Sequence, residues 1–154
     1  MNKTAIVRRL VMLGVVWAVA TLTSPVRSAD PPVLGSTARS WEEIQAKVPA
    51  GGRASQVFRD PTATLDELEL HVTFLPAGQA SHPPHSHPNE EIIIIREGTV
   101  EALVGGQTRQ LGPGAVIFQA SNQPHAIKNV GKTTAVYHVI NWHSPGMLKD
   151  RKKD

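Results

Sequence analysis

Three histidines and one glutamate in this chain have the types and the spacing of a metal site. His85, His87 and Glu91 lie within one short segment, and His125 follows later in the chain. Residues two apart on a β-strand project to the same face, so His85 and His87 can point together. Glu91 begins the apolar run after the turn predicted at Pro88-Asn89, so it can face the histidine pair. Three neutral imidazoles and a carboxylate suit a borderline divalent transition metal.

The same residues resemble the two sequence motifs of the cupin superfamily. The first motif, G-x5-H-x-H-x3-4-E-x6-G, is matched by Gly78, His85, His87, Glu91 and Gly98, with one extra residue before His85. The second, G-x5-P-x-G-x2-H-x3-N, is matched by Gly114, His125 and Asn129, with Ala120 in place of proline and Asn122 in place of glycine. The substitution at Asn122 is mild, because asparagine tolerates the left-handed backbone region. The resemblance implies a small single-domain cupin of type 2, with the metal ligands His85, His87, Glu91 and His125.

The resemblance also implies a class of chemistry. Four protein ligands on a metal that prefers six leave two positions for water, dioxygen or a bidentate substrate. We therefore expect a metal-dependent enzyme acting on a small organic molecule, first of all an oxidoreductase of the dioxygenase kind, with isomerase, decarboxylase and lyase chemistry as alternatives. Glu91 is the candidate catalytic residue, because it either binds the metal or acts as a general base. The ligand types admit Fe, Mn, Ni, Cu and Zn alike. The rival function is a non-catalytic periplasmic module that binds a small ligand or stores metal.

Several further residues are candidates for secondary roles. His82 precedes two prolines that fix the backbone, so it is either a proton shuttle at the mouth of the site or a surface histidine. Asn129 is expected to steady a turn. His71, His138 and His143 have no ligand spacing, and we expect them beside the site, at the core edge or on the surface. The alternation of inward and outward side chains along the strands does not decide which of the following residues line the pocket: Phe74, Phe118, Gln119, Tyr137 and Asn141.

The first residues are typical of a secretory signal peptide. Lys3, Arg8 and Arg9 precede an apolar run at 10–22, and small residues follow, with cleavage favoured after Ser28. The run is shorter than the roughly 20 residues of a membrane-spanning helix. We therefore predict a signal at 1–28 and a periplasmic or secreted protein. The general secretory route fits better than the twin-arginine route, because the residues around the arginine pair match the twin-arginine motif poorly.

The charge of the predicted mature chain excludes some partners. Of the 16 basic residues, four lie in the signal and none of the 13 acidic residues does, which leaves 12 basic and 13 acidic residues. That balance attracts neither nucleic acid nor an anionic membrane, so we expect a small molecule as the partner. The chain has no cysteine, which excludes disulfides and thiolate ligands.

The elements that must position the site are mostly short strands separated by Gly and Pro turns. This pattern predicts an all-β jelly roll, a double-stranded β-helix barrel of the cupin kind, at 65–142. An extension at 29–64 contains a short helix that begins with a capping box at Ser40 and Glu43 and packs Trp41 against the barrel. A frayed tail is expected at 143–154. The strands are predicted at 55–58, 68–75, 90–96, 99–104, 108–111, 115–119, 126–129 and 134–142.

The run Ile92 to Ile95 is apolar on both faces of its strand. Alternation places Ile93 and Ile95 inward with Glu91, so Ile92 and Ile94 face outward and need cover. A second subunit would supply that cover, and we predict a homodimer. The alternative is a monomer in which the N-terminal segment covers the two side chains.

Overall fold

The computed structural model describes residues 33–150, without the side chains of 149 and 150, so the predicted signal at 1–28 lies outside the described residues. All eight predicted strands are present, which confirms the all-β class. No helix of this described part is long and apolar enough to cross a membrane. The elements are α1 (Trp41–Ala46), β1 (Ala54–Asp60), β2 (Glu67–Leu75), β3 (Glu90–Glu97), β4 (Val100–Val104), β5 (Gln107–Leu111), β6 (Val116–Gln119), β7 (Ala126–Asn129), β8 (Ala135–His143) and α2 (Met147–Asp150).

The strands form two antiparallel sheets that pack face to face. One sheet has five strands in the order β1-β2-β8-β3-β6, and the other has three in the order β5-β4-β7. The last strand, β8, lies between β2 and β3, so the chain crosses between layers before it returns to the middle of the larger sheet. This is the connectivity of a jelly roll, and it confirms the predicted barrel.

The core lies between the sheets and is built by strict alternation. Ile93 and Ile95 are 2% and 1% exposed, whereas Ile94 between them is 37% exposed. The predicted inward face of β3 is therefore correct. Apolar side chains of both sheets contact each other there, including Leu75, Ile93, Ile95, Val100, Ala102, Ile117, Ile127, Ala135, Tyr137 and Val139.

Helix α1 covers one part of the outer face of the larger sheet. Its predicted capping box is present, since Ser40 Oγ accepts from the amide of Glu43 and the Glu43 carboxylate accepts from the amide of Ser40. The buried hydroxyl of Ser55 on β1 donates to the carbonyl of Ile44 at 2.6 Å, which ties the helix to the sheet. The ring of Trp41 packs on Phe74, with the Arg96 guanidinium 3.5 Å from the ring centre. The prediction that Trp41 is a packing residue is thus confirmed.

Two segments expected to flank the barrel take part in the fold. Strand β1, within the predicted extension 29–64, pairs along its length with β2 and forms an edge of the larger sheet. In the predicted tail 143–154, α2 follows β8, and the carboxylate of Asp66 accepts from the amides of Gly146 and Leu148. These contacts join residues far apart in sequence, which is why local patterns did not show them.

The turn after β7 depends on Asn129, which is fully buried. Its side-chain amide donates to the carbonyls of Leu75 at 2.7 Å and Thr133 at 2.8 Å, and its Oδ1 accepts from the amide of Gly131 at 2.9 Å. The structural role predicted for Asn129 is therefore confirmed. Nearby, Gly98 has φ +82°, and a Cβ there would lie 2.7 Å from the Ala135 backbone, so only glycine fits.

Candidate metal centre

His85 and His125 meet because their backbones pair outside the main strands. Each donates its amide to the carbonyl of the other, at 3.1 and 2.9 Å. The turn before His125 passes through Asn122, which has φ +58°, the left-handed conformation expected for this position. The amide of Asn122 also donates to the carbonyl of His87 at 2.8 Å. This turn therefore holds the second motif against the first.

Three of the four predicted ligands form one group. One ring nitrogen from each of His85, His87 and His125 lies within 4.8 Å of the others. The ring centres of His85 and His87 lie 4.4 and 4.7 Å from that of His125. His125 is buried, His87 is half-buried and His85 is exposed at the mouth. The three histidines could hold a metal ion, as the sequence predicted.

The backbone selects the tautomer of two of these rings. His87 Nδ1 lies 2.8 Å from the carbonyl oxygen of Asn89, and His125 Nδ1 lies 2.8 Å from that of Gln123. A carbonyl oxygen only accepts, so each Nδ1 carries the hydrogen and each neutral ring presents a lone pair on Nε2. Histidines that bind a metal through one ring nitrogen usually donate the other N–H to an acceptor in this way.

The buried ring nitrogen of His125 is placed to act as a metal ligand. Nε2 of His125 is buried and has no hydrogen-bond partner. A buried acceptor without a partner costs about 1–3 kcal/mol, which a metal bond would offset. Burial, followed by the charges of His82 and the other two histidines, lowers the pKa of His85. A lowered pKa keeps the imidazole neutral, as metal binding requires. The residues present therefore fit a divalent transition metal.

Glu91 lies beside this group but is not part of it. One of its carboxylate oxygens lies 3.7 Å from His87 Nε2, longer than a hydrogen bond, and its side chain is 12% exposed. Burial raises the pKa of Glu91, and the nearby histidines partly oppose that rise. Its role as fourth ligand or general base stays a prediction.

The histidines open into a cavity of about 420 Å³ inside the barrel. Of the undecided pocket candidates, Tyr137 and Asn141 line this cavity, whereas Phe118 is 52% exposed on the outer surface and Phe74 packs under Trp41. Tyr137 is buried, and that burial raises the pKa of its hydroxyl. His82 lies at the mouth, with its ring centre 4.0 Å from that of His85.

The inner face of β2 adds polar groups that motif analysis missed. Glu69 and His71 line the cavity, and Glu69 Oε1 lies 3.2 Å from His71 Nδ1. The amide of Asn141 donates to the other oxygen of Glu69 at 2.8 Å. The hydrogen bond to His71 comes first among the causes that lower the pKa of Glu69, to about 2. The alternation Glu67, Glu69, His71 was the available signal, since residues two apart share a face.

A second charged group lies on the same wall. Glu67 forms an ion pair with Arg59 at 3.0 Å and lies 3.2 Å from His143, which is buried. Arg53 and Arg59 both line the cavity. Of the three histidines without ligand spacing, His71 and His143 therefore lie beside the site, whereas His138 lies outside the barrel near Trp41.

Comparison with known proteins agrees with this fold. Residues 71–141 match the family model described as Cupin domain. A solved Cupin 2 conserved barrel domain protein of Salinispora arenicola shares 17% identity, covering 78% of this chain and 98% of that one, with a TM-score of 0.55. The Cnp3 cupin domain of Schizosaccharomyces pombe shares 19% identity, covering 65% and 69%, with a TM-score of 0.54.

One curated relative is similar over a shorter segment. It is the dimethylsulfoniopropionate lyase DddQ of Ruegeria pomeroyi, 44% identical over 64 residues. The similar segment is 41% of this chain and spans only 31% of the relative. Residues 71–141 therefore match the cupin family model, and the two-sheet barrel that contains them has the fold of these solved cupin domains.

Proposed function

We propose that this protein is a metal-dependent enzyme that acts on a small organic acid inside its barrel. The observation that carries the proposal is the histidine group at the cavity, with Nε2 of His87 and His125 left free by backbone carbonyls that bind Nδ1. A bound divalent metal would supply Lewis acidity toward a substrate oxygen. Its ligands would be His85, His87 and His125, with Glu91 as the expected fourth.

The lining of the cavity favours a small, polar substrate. Arg53 lines it, as does Arg59 in its ion pair with Glu67, and guanidinium groups suit the carboxylate of an organic acid. Among the described residues that line it there is no Phe or Trp, so a flavonol-sized aromatic ring would find few stacking partners. A volume of about 420 Å³ lies at the small end of ligand sites.

Two reaction classes have support. Lyase chemistry, an elimination started by proton abstraction, is favoured by the cavity's acid–base groups and by the similarity to a lyase over 64 residues. Dioxygenation, the first expectation from the resemblance, is the second candidate, because three imidazoles with a carboxylate accept redox metals such as Fe, Mn and Cu. Bound zinc would argue against dioxygenation, since Zn has no redox chemistry, whereas a redox metal would fit both classes.

The first experiment measures metal content. Wild-type protein is purified after export by its own signal, beside His87→Ala and the control His138→Ala, whose histidine lies outside the barrel. We expect close to one equivalent of a transition metal by mass spectrometry in the wild type and the control, and a loss of at least tenfold in His87→Ala. Equal metal in all three would contradict the site. No metal in the wild type, even after reconstitution near neutral pH, would leave only a binding module.

The second experiment separates the reaction classes. Metal-loaded protein is incubated with short organic acids that carry a leaving group at the β-carbon, dimethylsulfoniopropionate among them, and the unsaturated acid is measured. Oxygen uptake is followed in parallel with catechols, flavonols and diketones. Elimination without oxygen uptake supports the lyase, and oxygen uptake supports the dioxygenase. Tight binding of an acid with neither reaction would favour the non-catalytic module.

We also propose that the protein acts outside the cytoplasm, in the periplasm or secreted. Support comes from the basic, apolar and small-residue pattern at 1–28. Cell fractionation of the full chain, beside a chain that lacks 2–28, tests this. Equal cytoplasmic retention of both forms would contradict export.

A further inference from the structure

A carboxylate–imidazole pair stands on the wall of the cavity, apart from the predicted metal ligands. Glu69 and His71 project inward from β2, and Oε1 of the glutamate lies 3.2 Å from Nδ1 of the histidine. Asn141 on β8 holds the other oxygen, Oε2, at 2.8 Å. All three residues line the same cavity as His85, His87 and His125. The carboxylate–imidazole pair and the histidine group therefore line the same cavity.

The sheet register sets the distance between them. Asn141 is the strand partner of Glu69 on one side and of Glu91 on the other. Adjacent strands lie about 4.8 Å apart, so the backbones of Glu69 and Glu91 are separated by ~10 Å. A small molecule that reaches the metal ligands next to Glu91 would extend toward His71.

The hydrogen bonds set the state of the imidazole. The pKa of Glu69 is lowered to about 2, so its carboxylate is ionised at neutral pH and only accepts. Nδ1 of His71 must then carry the hydrogen, and in the neutral ring Nε2 holds the lone pair. The side chain of His71 is 25% exposed, and that of Glu69 is 15% exposed. A carboxylate that fixes the tautomer and orientation of an imidazole is the arrangement of a general base.

We propose that His71, oriented by Glu69 and Asn141, is the general base of the enzyme, a role that rests on the proposed function. In an elimination, a proton leaves the carbon beside the substrate's acid group for Nε2 of His71. The electron pair of that C–H bond becomes the new C=C bond, and the leaving group departs with its own bonding pair. The ionised Glu69 stabilises the imidazolium, which later returns its proton to water. No oxidant or reductant is consumed.

A purely structural role would explain less of this arrangement. Asn141 already satisfies one oxygen of Glu69, and the cavity would be filled more simply by apolar side chains. Nε2 of His71 has no hydrogen-bond partner among the described residues, as a base that awaits substrate would require. With a quarter of its side chain exposed, His71 keeps Nε2 accessible from the cavity that it lines.

The first test reads the tautomer and needs no activity. Long-range ¹H–¹⁵N spectra of zinc-reconstituted wild-type protein should show His71 in the Nδ1–H form. In Glu69→Ala, the Nε2–H form should appear, because the acceptor at Nδ1 is gone. His138→Ala supplies the assignment control and should leave the His71 signals unchanged. An Nε2–H form of His71 in the wild type would overturn the proposal.

The second test measures turnover, metal content and melting temperature in the same variants. We expect His71→Asn to lower kcat by about 100-fold or more while KM and metal content stay within twofold of the wild type. Glu69→Gln should lower kcat by a smaller factor, because the amide oxygen still accepts from Nδ1. His138→Ala should leave kcat unchanged.

The outcomes separate this proposal from the proposed function. An active, metal-loaded wild type whose His71→Asn variant keeps its kcat would overturn the base alone. A metal-loaded wild type that converts no acid and takes up no oxygen would overturn the enzyme and the base together. Loss of metal in His71→Asn would make His71 part of the metal site and would also overturn the role proposed here.

Discussion

Individual side chains in this barrel owe their chemistry to the hydrogen bonds behind them. Backbone carbonyls hold Nδ1 of His87 and His125, which leaves Nε2 of both rings for a ligand. A carboxylate does the same for His71. Imidazoles that look alike in the sequence therefore differ in their partners: carbonyls hold two rings of the candidate metal site, and a carboxylate holds the ring that we propose as the general base.

The pair of Glu69 and His71 predicts an acid-sensitive contribution to stability. The folded pKa of Glu69 is lowered to about 2 from 4.5, so its contribution is present above pH 4.5 and is lost as the pH falls toward 2. In Glu69→Gln, the free-energy deficit relative to wild type should shrink across this interval by about 1–2 kcal/mol, after allowance for solvent screening. Urea unfolding at several pH values measures it.

The matched control for that experiment is Glu101→Gln, since Glu101 is exposed on β4. Its difference from wild type should stay constant over the same interval. A constant difference for Glu69→Gln as well would mean that the carboxylate is not stabilised by its contacts with His71 and Asn141.

Some secondary-structure elements stabilise the fold, and others also position the residues of the candidate site. Strands β2, β3 and β8 place alternate residues in the cavity and on the outer face, and their registers decide which polar groups meet. Helix α1 covers only the outer face, where Trp41, Ile44, Val72 and Val136 form a separate apolar cluster. The outer face therefore contributes to stability alone, whereas the inner face carries both the main core and the candidate site.

Removing the ring of Trp41 should destabilise the fold without disturbing the site. Trp41→Ala loses the contacts with Phe74 and with the Arg96 guanidinium, and we expect a cost of about 2–3 kcal/mol. Urea unfolding gives the cost, and metal content should equal that of wild type. Gln45→Ala, an exposed position of the same helix, should stay within about 0.5 kcal/mol. Loss of metal in Trp41→Ala would show that the helix supports the site.

The stability of the fold should be more sensitive to substitution in the turn after β7 than the short length of this turn suggests. Asn129→Ala leaves the carbonyls of Leu75 and Thr133 and the amide of Gly131 without their partner, at an expected cost of about 2–4 kcal/mol. Asn129→Asp keeps one acceptor but loses both donated hydrogen bonds, and it should be no better. Thermal unfolding compares both with Gln110→Ala, an exposed position on β5. A cost below 1 kcal/mol for Asn129→Ala would refute the role.

The whole molecule presents a wide apolar surface on its larger sheet. Leu70, Ile140, Ile92 and Phe118 are consecutive strand partners across β2, β8, β3 and β6 on the face outside the core. Val116 and Phe118 are 65% and 52% exposed, and β6 is an edge strand of the sheet. The other three side chains of the row are half-buried, and a partly exposed apolar face beside an edge strand is typical of an interface. We propose that a second copy of this chain covers it.

The homodimer is tested by changing that surface. Phe118→Lys should convert a dimer into a monomer in sedimentation velocity at micromolar concentration, because a charge would be buried without a partner. Gln107→Lys, on β5 of the other sheet, should leave the dimer intact. A wild type that sediments only as a monomer would contradict this proposal. Another segment of the same chain would then have to cover Ile92 and Ile94.

The sequence by itself was enough to predict much of the fold and part of the candidate site. The eight strands and the capping box were readable because each depends on residues a few positions apart, and the resemblance to the cupin motifs predicted the histidine group and the turn residues Asn122 and Asn129. The groups opposite the metal ligands were not. Glu69 and His71 become neighbours of Glu91 only when β8 pairs with β2 and β3, and that register is chosen by burial of apolar side chains distant in sequence. Motif spacing predicts which residues form the candidate metal site, whereas only the packing of the sheets decides which groups face it.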